Sequence, residues 1–217
     1  MNSKEEKFFN NLSLFCRELN KAGAAFEKVN CGKMDAEEGR EIISGSKKKL
    51  RNSLTPLLER VYKVYKKPAE IDFAKIFLFK AYSIINGMNE VITRLSVCPL
   101  DEPPKNFEKI TELVRDALEE IEKIVNYTSD ISANYMKMEA RCRKIYAFEE
   151  RGDEIYKDLI RDLFTGEHKP EYIIYWKEIL SETEKMLDAT AGSVSLLQRL
   201  FIPSISLFKK ENNRILL

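Results

Sequence analysis

The side chains of this sequence best arranged for chemistry are four carboxylates, which form two pairs in its second half. Glu149 and Asp153 lie four residues apart in the segment FEERGD, and Glu184 and Asp188 lie four apart in ETEKMLD. Residues four apart on an α-helix share one face, with Cβ atoms about 5–6 Å apart. Carboxylates on facing helices of a bundle bind hard cations. The spacing therefore indicates a metal site for iron, manganese, magnesium or calcium.

The apolar residues around both pairs predict that they border one groove between two helices. The predicted seams are Ile145, Phe148, Gly152, Ile155 and Leu159 in one helix, and Trp176, Leu180, Thr183, Leu187 and Val194 in the next. Each of the four carboxylates comes directly after a seam position. Like charges at this spacing destabilise a helix by a few tenths of a kcal/mol per pair, and a bound cation would make the arrangement favourable.

Three classes of function fit these carboxylates. They can hold a metal ion in a protein without catalytic activity, or they can belong to a carboxylate-bridged helical-bundle metalloenzyme. They can also form surface ion pairs with Lys157 and Lys185 in a metal-free helical adaptor. A ferritin-like oxidase fits less well, because its site uses two Glu-x-x-His motifs and this chain has one histidine, His168, in a predicted turn. Since no general base is paired with an activated nucleophile, we expect no enzymatic activity.

Helical periodicity runs along nearly the whole chain and predicts an all-α fold. Glycine and proline, with 8 and 7 of 217 residues, are too scarce for a fold with many strands. Apolar residues recur every three or four positions in six stretches. The predicted helices are Lys4–Val29, Ala36–Lys66, Pro68–Leu95, Asn106–Asn126, Ile131–Phe164 and Pro170–Ile202, with a cap at Asp35 and a kink at Pro56.

A proline-rich segment divides these helices into two groups of three. Residues 99–105 form the predicted linker, between a first half over 1–98 and a second half over 106–217. A shift of 102 residues aligns Lys67–Lys75 with Lys169–Lys177, with four identities in nine positions. The layout and this alignment predict two pseudo-repeated three-helix bundles.

Composition and sequence patterns predict the cellular location of the protein and the classes of partner that it can bind. The net charge of +1 gives no overall case for a nucleic-acid partner. The N-terminus lacks a secretory signal, and no segment reaches about 18 apolar residues, so we expect a cytoplasmic protein without a transmembrane segment. The four cysteines, Cys16, Cys31, Cys98 and Cys142, are not spaced as a zinc or redox motif and are expected to be free thiols.

Charge is nevertheless distributed unevenly along the sequence. Arg40–Lys67 carries nine basic and two acidic residues, and Asp101–Asp130 carries nine acidic and four basic ones. The basic stretch is either a solvated face balanced by the acidic stretch, or a surface for an anionic membrane, a nucleic acid or an acidic partner loop. The apolar stretch Leu196–Phe208 is expected to pack on the bundle or on a partner, which allows a homo-oligomer.

The second half resembles the PhoU-like family, in the branch that accompanies low-affinity phosphate permeases. The resemblance rests on YAFEERGDEIYKDLIRDLF, from Tyr146 to Phe164, and YWKEILSETEKMLDATAGSV, from Tyr175 to Val194. It covers Phe8–Ile202 in helix layout and Arg143–Val194 in motif. Each half of a PhoU-like protein is a three-helix bundle with Glu-x-x-x-Asp motifs on two helices, which gather a surface metal cluster in several members.

The resemblance implies an accessory or regulatory protein of inorganic phosphate transport, acting on a permease or a phosphate-signalling protein. It assigns Glu149, Asp153, Glu184 and Asp188 as ligands of the cluster.

This sequence also departs from the family pattern. Ala191 stands where the family often has another acidic residue. In the first half, the offset places Lys47 and Arg51 opposite the first motif and Tyr82 and Asn86 opposite the second. Either the first half has lost its metal cluster and Lys47 and Arg51 now supply fixed positive charge, or the alignment is off by one turn and Asn86 and Glu90 are a remnant of the motif.

Overall fold

The structure, a computed structural model, describes residues 3–97 and 102–215, with side chains up to Phe201. These residues form helices and no strand, which confirms the all-α prediction. The helices are α1 (Ser3–Asn30), α2 (Ala36–Val64), α3 (Pro68–Val97), α4 (Phe107–Asn126), α5 (Ile131–Thr165) and α6 (Pro170–Ile215), with a 3₁₀ turn at Tyr127–Asp130.

Four helices form a ring at the centre of the bundle. Helix α1 packs on α4, α4 on α6, α6 on α3, and α3 on α1. Helix α2 lies against α1 and α3 on one side of this ring, and α5 lies against α4 and α6 on the other side. The groove between α5 and α6, where the four carboxylates are predicted, therefore runs along an outer edge of the bundle.

The core is filled by large apolar side chains from every helix of the ring. Phe15 and Phe26 of α1, Phe77 of α3, and Trp176 of α6 are almost completely buried. Phe107 begins α4 with its ring edge-on to Trp176, at a centroid distance of 5.2 Å. Aromatic pairs in this geometry add about 0.5–1.5 kcal/mol beyond the area they bury.

In the described part of the chain, no helix has the length and hydropathy needed to cross a membrane.

The helices begin and end close to the predicted residues, except at the end of α2, before Pro68, and at the end of α6, beyond Pro203. Helix α2 ends at Val64 instead of Lys66, and Tyr65 is extended with ψ of 142°. A residue before proline disfavours helical geometry, so the chain leaves the helix before Pro68. The predicted end of the last helix at Ile202 was wrong, because α6 continues past Pro203 to Ile215. Asp35 caps α2 as predicted, since its carboxylate accepts from the Glu37 amide at 2.9 Å.

Part of the predicted linker and one cysteine lie outside the described residues. Residues 98–101 include Cys98. The described remainder of the linker is non-helical and is followed by Asn106, which has a left-handed φ of 74°. Cys16, Cys31 and Cys142 are free thiols, as predicted for the cysteines.

Gly152 allows α5 and α6 to approach closely beside the predicted carboxylates. A Cβ atom at this position would overlap Cδ2 of Leu187, which is itself buried. Glycine in a helix costs about 1 kcal/mol relative to alanine, so close packing has to offset that cost. A Cβ atom added to Gly45, in α2, would point into open space, so this glycine serves as a comparison.

We expect Gly152→Ala to destabilise the protein by roughly 1 kcal/mol, because displacement of Leu187 outweighs the gain in helix propensity. Gly45→Ala is the matched control and should stabilise the protein by about 0.5–1 kcal/mol. Urea unfolding followed by circular dichroism measures both changes. Stabilisation of both variants to the same extent would contradict the role assigned to the contact.

Candidate metal centre

The structure brings three of the four predicted carboxylates together across the groove between α5 and α6. One carboxylate oxygen from each of Glu149, Asp153 and Asp188 lies within 4.8 Å of the other two. Glu184 is outside this triplet, one turn before Asp188 on α6. Glu149, Asp153 and Glu184 are half-buried and Asp188 is exposed, so the cluster lies at the surface.

The seam positions beside the carboxylates fix where those side chains point. Gly152 and Leu187 meet at the contact of the two helices, and each directly precedes a carboxylate, Asp153 or Asp188. Thr183 precedes Glu184 and is completely buried, with its hydroxyl donating to the Ile179 carbonyl at 2.8 Å. Each carboxylate is therefore one residue around the helix from the buried line, at the edge of the groove.

Burial and mutual repulsion make ionisation of these carboxylates unfavourable. Desolvation is the main cause that raises the pKa of Glu149, followed by the charges of Asp153 and Asp188. Desolvation is also the main cause that raises the pKa of Glu184, and the charge of Asp188 is the next largest cause. The pKa of Asp188 is raised by desolvation and by Asp153. A cation at this position would relieve the repulsion.

Two lysines, Lys157 of α5 and Lys80 of α3, partly compensate the negative charge of the carboxylate cluster. Lys157 forms a surface ion pair with Asp153 at 3.3 Å, as one prediction had it. Lys185 instead pairs with Glu182, at 3.4 Å. Lys80 of α3 extends across Gly192, where a Cβ atom would lie 2.9 Å from its Nζ, and its charge lowers the pKa of Asp188. Among the described residues, Glu149, Glu184 and Asp188 have no ion pair within 4.0 Å.

The donor set fits a hard cation. All candidate ligand atoms are carboxylate oxygens, which suit magnesium, calcium, manganese and iron. Oxygens bound to one such ion at about 2.0–2.6 Å lie at most about 5 Å from each other. The spacing of Glu149, Asp153 and Asp188 within 4.8 Å meets this condition without movement of the helices.

A second group of potential ligands lies between α1 and α4 and was missed in the sequence. Glu27, Cys31 and Glu112 also converge within 4.8 Å. Burial, together with the two carboxylates, raises the pKa of the Cys31 thiol to about 11, so the thiol is protonated at neutral pH. Its sulfur lies 3.5 Å from Glu27, which also pairs with Lys33 at 3.4 Å. A spacing of four between Glu27 and Cys31 was the available signal, but Glu112 is too distant in sequence to be found.

The positions 102 residues earlier have different chemistry. Opposite the four carboxylates in the predicted repeat stand Lys47, Arg51, Tyr82 and Asn86, none of which carries a carboxylate. Glu90 of the predicted remnant is paired with Arg94 at 3.0 Å. The cluster of hard ligands is therefore a feature of the second half.

Known sequences and solved structures provide a comparison for the chain and for its fold. The chain matches none of the profiles of known protein families, and no curated protein matches its sequence. Its structure is similar to a PhoU-like protein from Shewanella oneidensis MR-1, with a TM-score of 0.75 and 16% identity, over 90% of this chain and 99% of that one.

A second structure from the same organism, described as a proposed PhoU-like phosphate regulatory protein, gives a TM-score of 0.72 at 17% identity. It too covers 90% of this chain and 99% of its own. These likenesses show that the chain has the PhoU-like fold, which confirms the predicted resemblance at the level of the fold. The branch associated with low-affinity permeases stays a prediction.

Removal of one carboxylate should stabilise the metal-free protein at neutral pH. Because folding raises the pKa of Glu149, its proton is held more tightly in the native state, and stability falls as pH rises above the unfolded value of about 4.3. In chelator at pH 7, we expect Glu149→Gln to raise Tm by roughly 1–2 °C, with the difference disappearing below about pH 4.

Differential scanning calorimetry over this pH range makes the measurement. Glu167→Gln is the control, because Glu167 is exposed in the turn before α6 and lies outside the cluster. A fall in Tm for Glu149→Gln in chelator would show that the Glu149 carboxylate stabilises the fold by itself.

Proposed function

We propose that this protein regulates inorganic phosphate transport and belongs to the PhoU-like family, in its permease-associated branch. The observation that supports this proposal most directly is the carboxylate cluster between α5 and α6, within a fold that matches PhoU-like structures over 90% of the chain. The protein would act from the cytoplasm, and its regulated partner would be a phosphate permease or a phosphate-signalling protein. In this proposal the protein binds its partner and catalyses no reaction.

Glu149, Asp153 and Asp188 would hold one cation, and Glu184 would supply a fourth carboxylate for it or for a second ion. A bound cation supplies a local positive charge that can attract phosphate. It also crosslinks α5 and α6 through carboxylates from both helices. The protein contributes hard ligands in a partly desolvated groove, and the Gly152–Leu187 contact keeps the two helices at the required separation.

The exposure of the cluster favours a regulatory metal site over a metalloenzyme. Carboxylate-bridged oxidases place their ions in the bundle core, between facing helices. Here Asp188 is exposed and the other three carboxylates are half-buried at the bundle surface. A metal-free adaptor is also less favourable, since three carboxylates without cationic partners would be kept in a groove where burial opposes their charge.

The packing supports the proposal that the halves arose by duplication. Helices α1–α3 pack on one another, as do α4–α6. Between the halves, α1 contacts α4 and α3 contacts α6, so each of these helices meets its own counterpart. A pseudo-twofold arrangement of two three-helix halves has this pattern of contacts. The first half would then have lost its metal ligands at Lys47, Arg51, Tyr82 and Asn86.

Metal content tests the assignment of the ligands. Elemental mass spectrometry of protein purified without a histidine tag should find a hard cation, iron, manganese, magnesium or calcium, at about one or more per chain. The Glu149→Gln, Glu184→Gln double variant should lose it, because it has only half of the four carboxylates.

The matched control is the Glu150→Gln, Glu167→Gln double variant, which removes two exposed glutamates outside the cluster and should retain the metal. Absence of metal from the parent after incubation with each of the four cations would refute the ligand assignment. Equal metal in both double variants would refute it as well.

Phosphate uptake in cells tests the regulatory role. A host that lacks its own gene for this protein should show altered phosphate uptake, and the parent protein should restore it. The Glu149→Gln, Glu184→Gln variant should fail to restore uptake while accumulating to the same level. Unchanged uptake on deletion would contradict the proposed role, whatever the metal content.

A further inference from the structure

The outer face of the hairpin formed by α2 and α3 combines positive charge with exposed apolar side chains. On α2 the outermost positions are all exposed and follow helical spacing: Lys48, Arg51, Thr55, Glu59 and Tyr62, and the exposed Lys66 follows in the connection to α3. On α3 the corresponding outer row is Asp72, Ile76, Phe79 and Ser83. Lys75 connects the two rows, since its ammonium lies 5.7 Å from the centre of the Tyr62 ring. We call this surface the hairpin face.

The hairpin face exposes three large apolar side chains, one on α2 and two on α3. Tyr62 is 56% exposed, Phe79 is 51% exposed and Ile76 is 44% exposed. Ile76 and Phe79 are three residues apart and therefore share one side of α3. Single exposed apolar residues are normal on a protein surface, whereas a group such as this one marks an interaction site.

The charge on the hairpin face is mostly positive and lacks internal compensation. Lys48, Arg51, Lys63, Lys66 and Lys75 outnumber the two acids of the rows, Glu59 and Asp72. Within the described residues, none of these five cations has a carboxylate within 4.0 Å. By comparison, Lys49 pairs with Glu18 at 3.1 Å and Lys67 with Glu70 at 3.0 Å, both beside the face.

We infer that the hairpin face docks on an anionic lipid bilayer. Lysine and arginine near such a surface are attracted by the negative headgroups, and aromatic and aliphatic side chains enter the interfacial layer. From Lys48 to Tyr62 the α2 row is about 21 Å long at 1.5 Å per residue, and α3 packs beside it. An anionic bilayer matches both the sign of charge and the exposed apolar residues of the hairpin face.

Two other occupants match the hairpin face less well. A second copy of the chain packed face to face would bring the same cations together across a twofold axis, which repulsion opposes. A nucleic acid would satisfy the lysines and arginine but would leave Ile76 and Phe79 exposed, since its backbone is charged and hydrophilic. An acidic protein segment remains as an outcome of the test below.

Flotation of the full-length protein with lipid vesicles tests the inference. We expect binding to vesicles of phosphatidylcholine with roughly a third of phosphatidylglycerol, and none to phosphatidylcholine alone. Binding should weaken as salt rises from about 0.1 M to 1 M, because the Debye length falls from about 10 Å to 3 Å. Lys66→Ala and Arg51→Ala should each reduce the affinity about fivefold.

The apolar contribution is tested separately. Ile76→Ser, Phe79→Ser should reduce the affinity by roughly tenfold or more, because both side chains lose their place in the lipid interface. Its matched control is Phe164→Ser, Ile174→Ser, which removes two exposed apolar residues near the turn between α5 and α6. All four residues are exposed, so circular dichroism and Tm should confirm that both double variants fold.

Three results would overturn the inference. They are no binding to anionic vesicles, equal binding to both vesicle types, and anionic binding that the hairpin-face variants leave unchanged. In the first case, crosslinking of Phe79 to an acidic protein, or a dimer lost in the Ile76→Ser, Phe79→Ser variant, would reassign the face. The inference does not rest on the proposed function: the Glu149→Gln, Glu184→Gln variant should bind vesicles as the parent does.

Discussion

The close contact of α5 with α6 at Gly152 and Leu187 is the constraint on which the candidate metal centre depends. Without a side chain on Gly152, the two helices approach until Leu187 fills the space. The carboxylates that follow these two residues then face each other across a narrow groove. Their convergence is thus a consequence of core packing, which places charged groups by fixing the backbones that carry them.

That contact also explains why the cluster is costly when no cation is bound. Packing brings Glu149 and Asp188, from different helices, close enough that each carboxylate disfavours ionisation of another, and partial burial adds to the effect. Lys157 and Lys80 offset only part of this charge. The apolar core therefore holds together a group of side chains whose own interaction is repulsive.

The helices and the i, i+4 carboxylate pairs could be predicted from the sequence because both depend on local periodicity. Spacing of four placed Glu149 with Asp153, and Gly152 and Leu187, each predicted as a seam position of its own helix, meet in the structure. What periodicity could not provide was distance across helices, so Glu184 was grouped with the triplet although it lies outside, and the approach of Glu112 to Glu27 and Cys31 was missed. The end of α6 was misjudged because a proline usually stops a helix, whereas here the helix continues to Ile215.

The two halves share a packing plan but differ in the charge at their outer edges. Positions 102 residues apart have Glu149 and Asp153 in one half, and Lys47 and Arg51 in the other. On one face of the bundle, a row of α2, α3, α6 and α5 thus runs from uncompensated cations to a carboxylate cluster. An anionic bilayer would attract the first end and repel the second. Because α5 packs on α4 and α6, on the side of the central ring opposite to α2, a bilayer docked on the hairpin face would leave the carboxylate cluster away from the lipid, and the two sites would act independently.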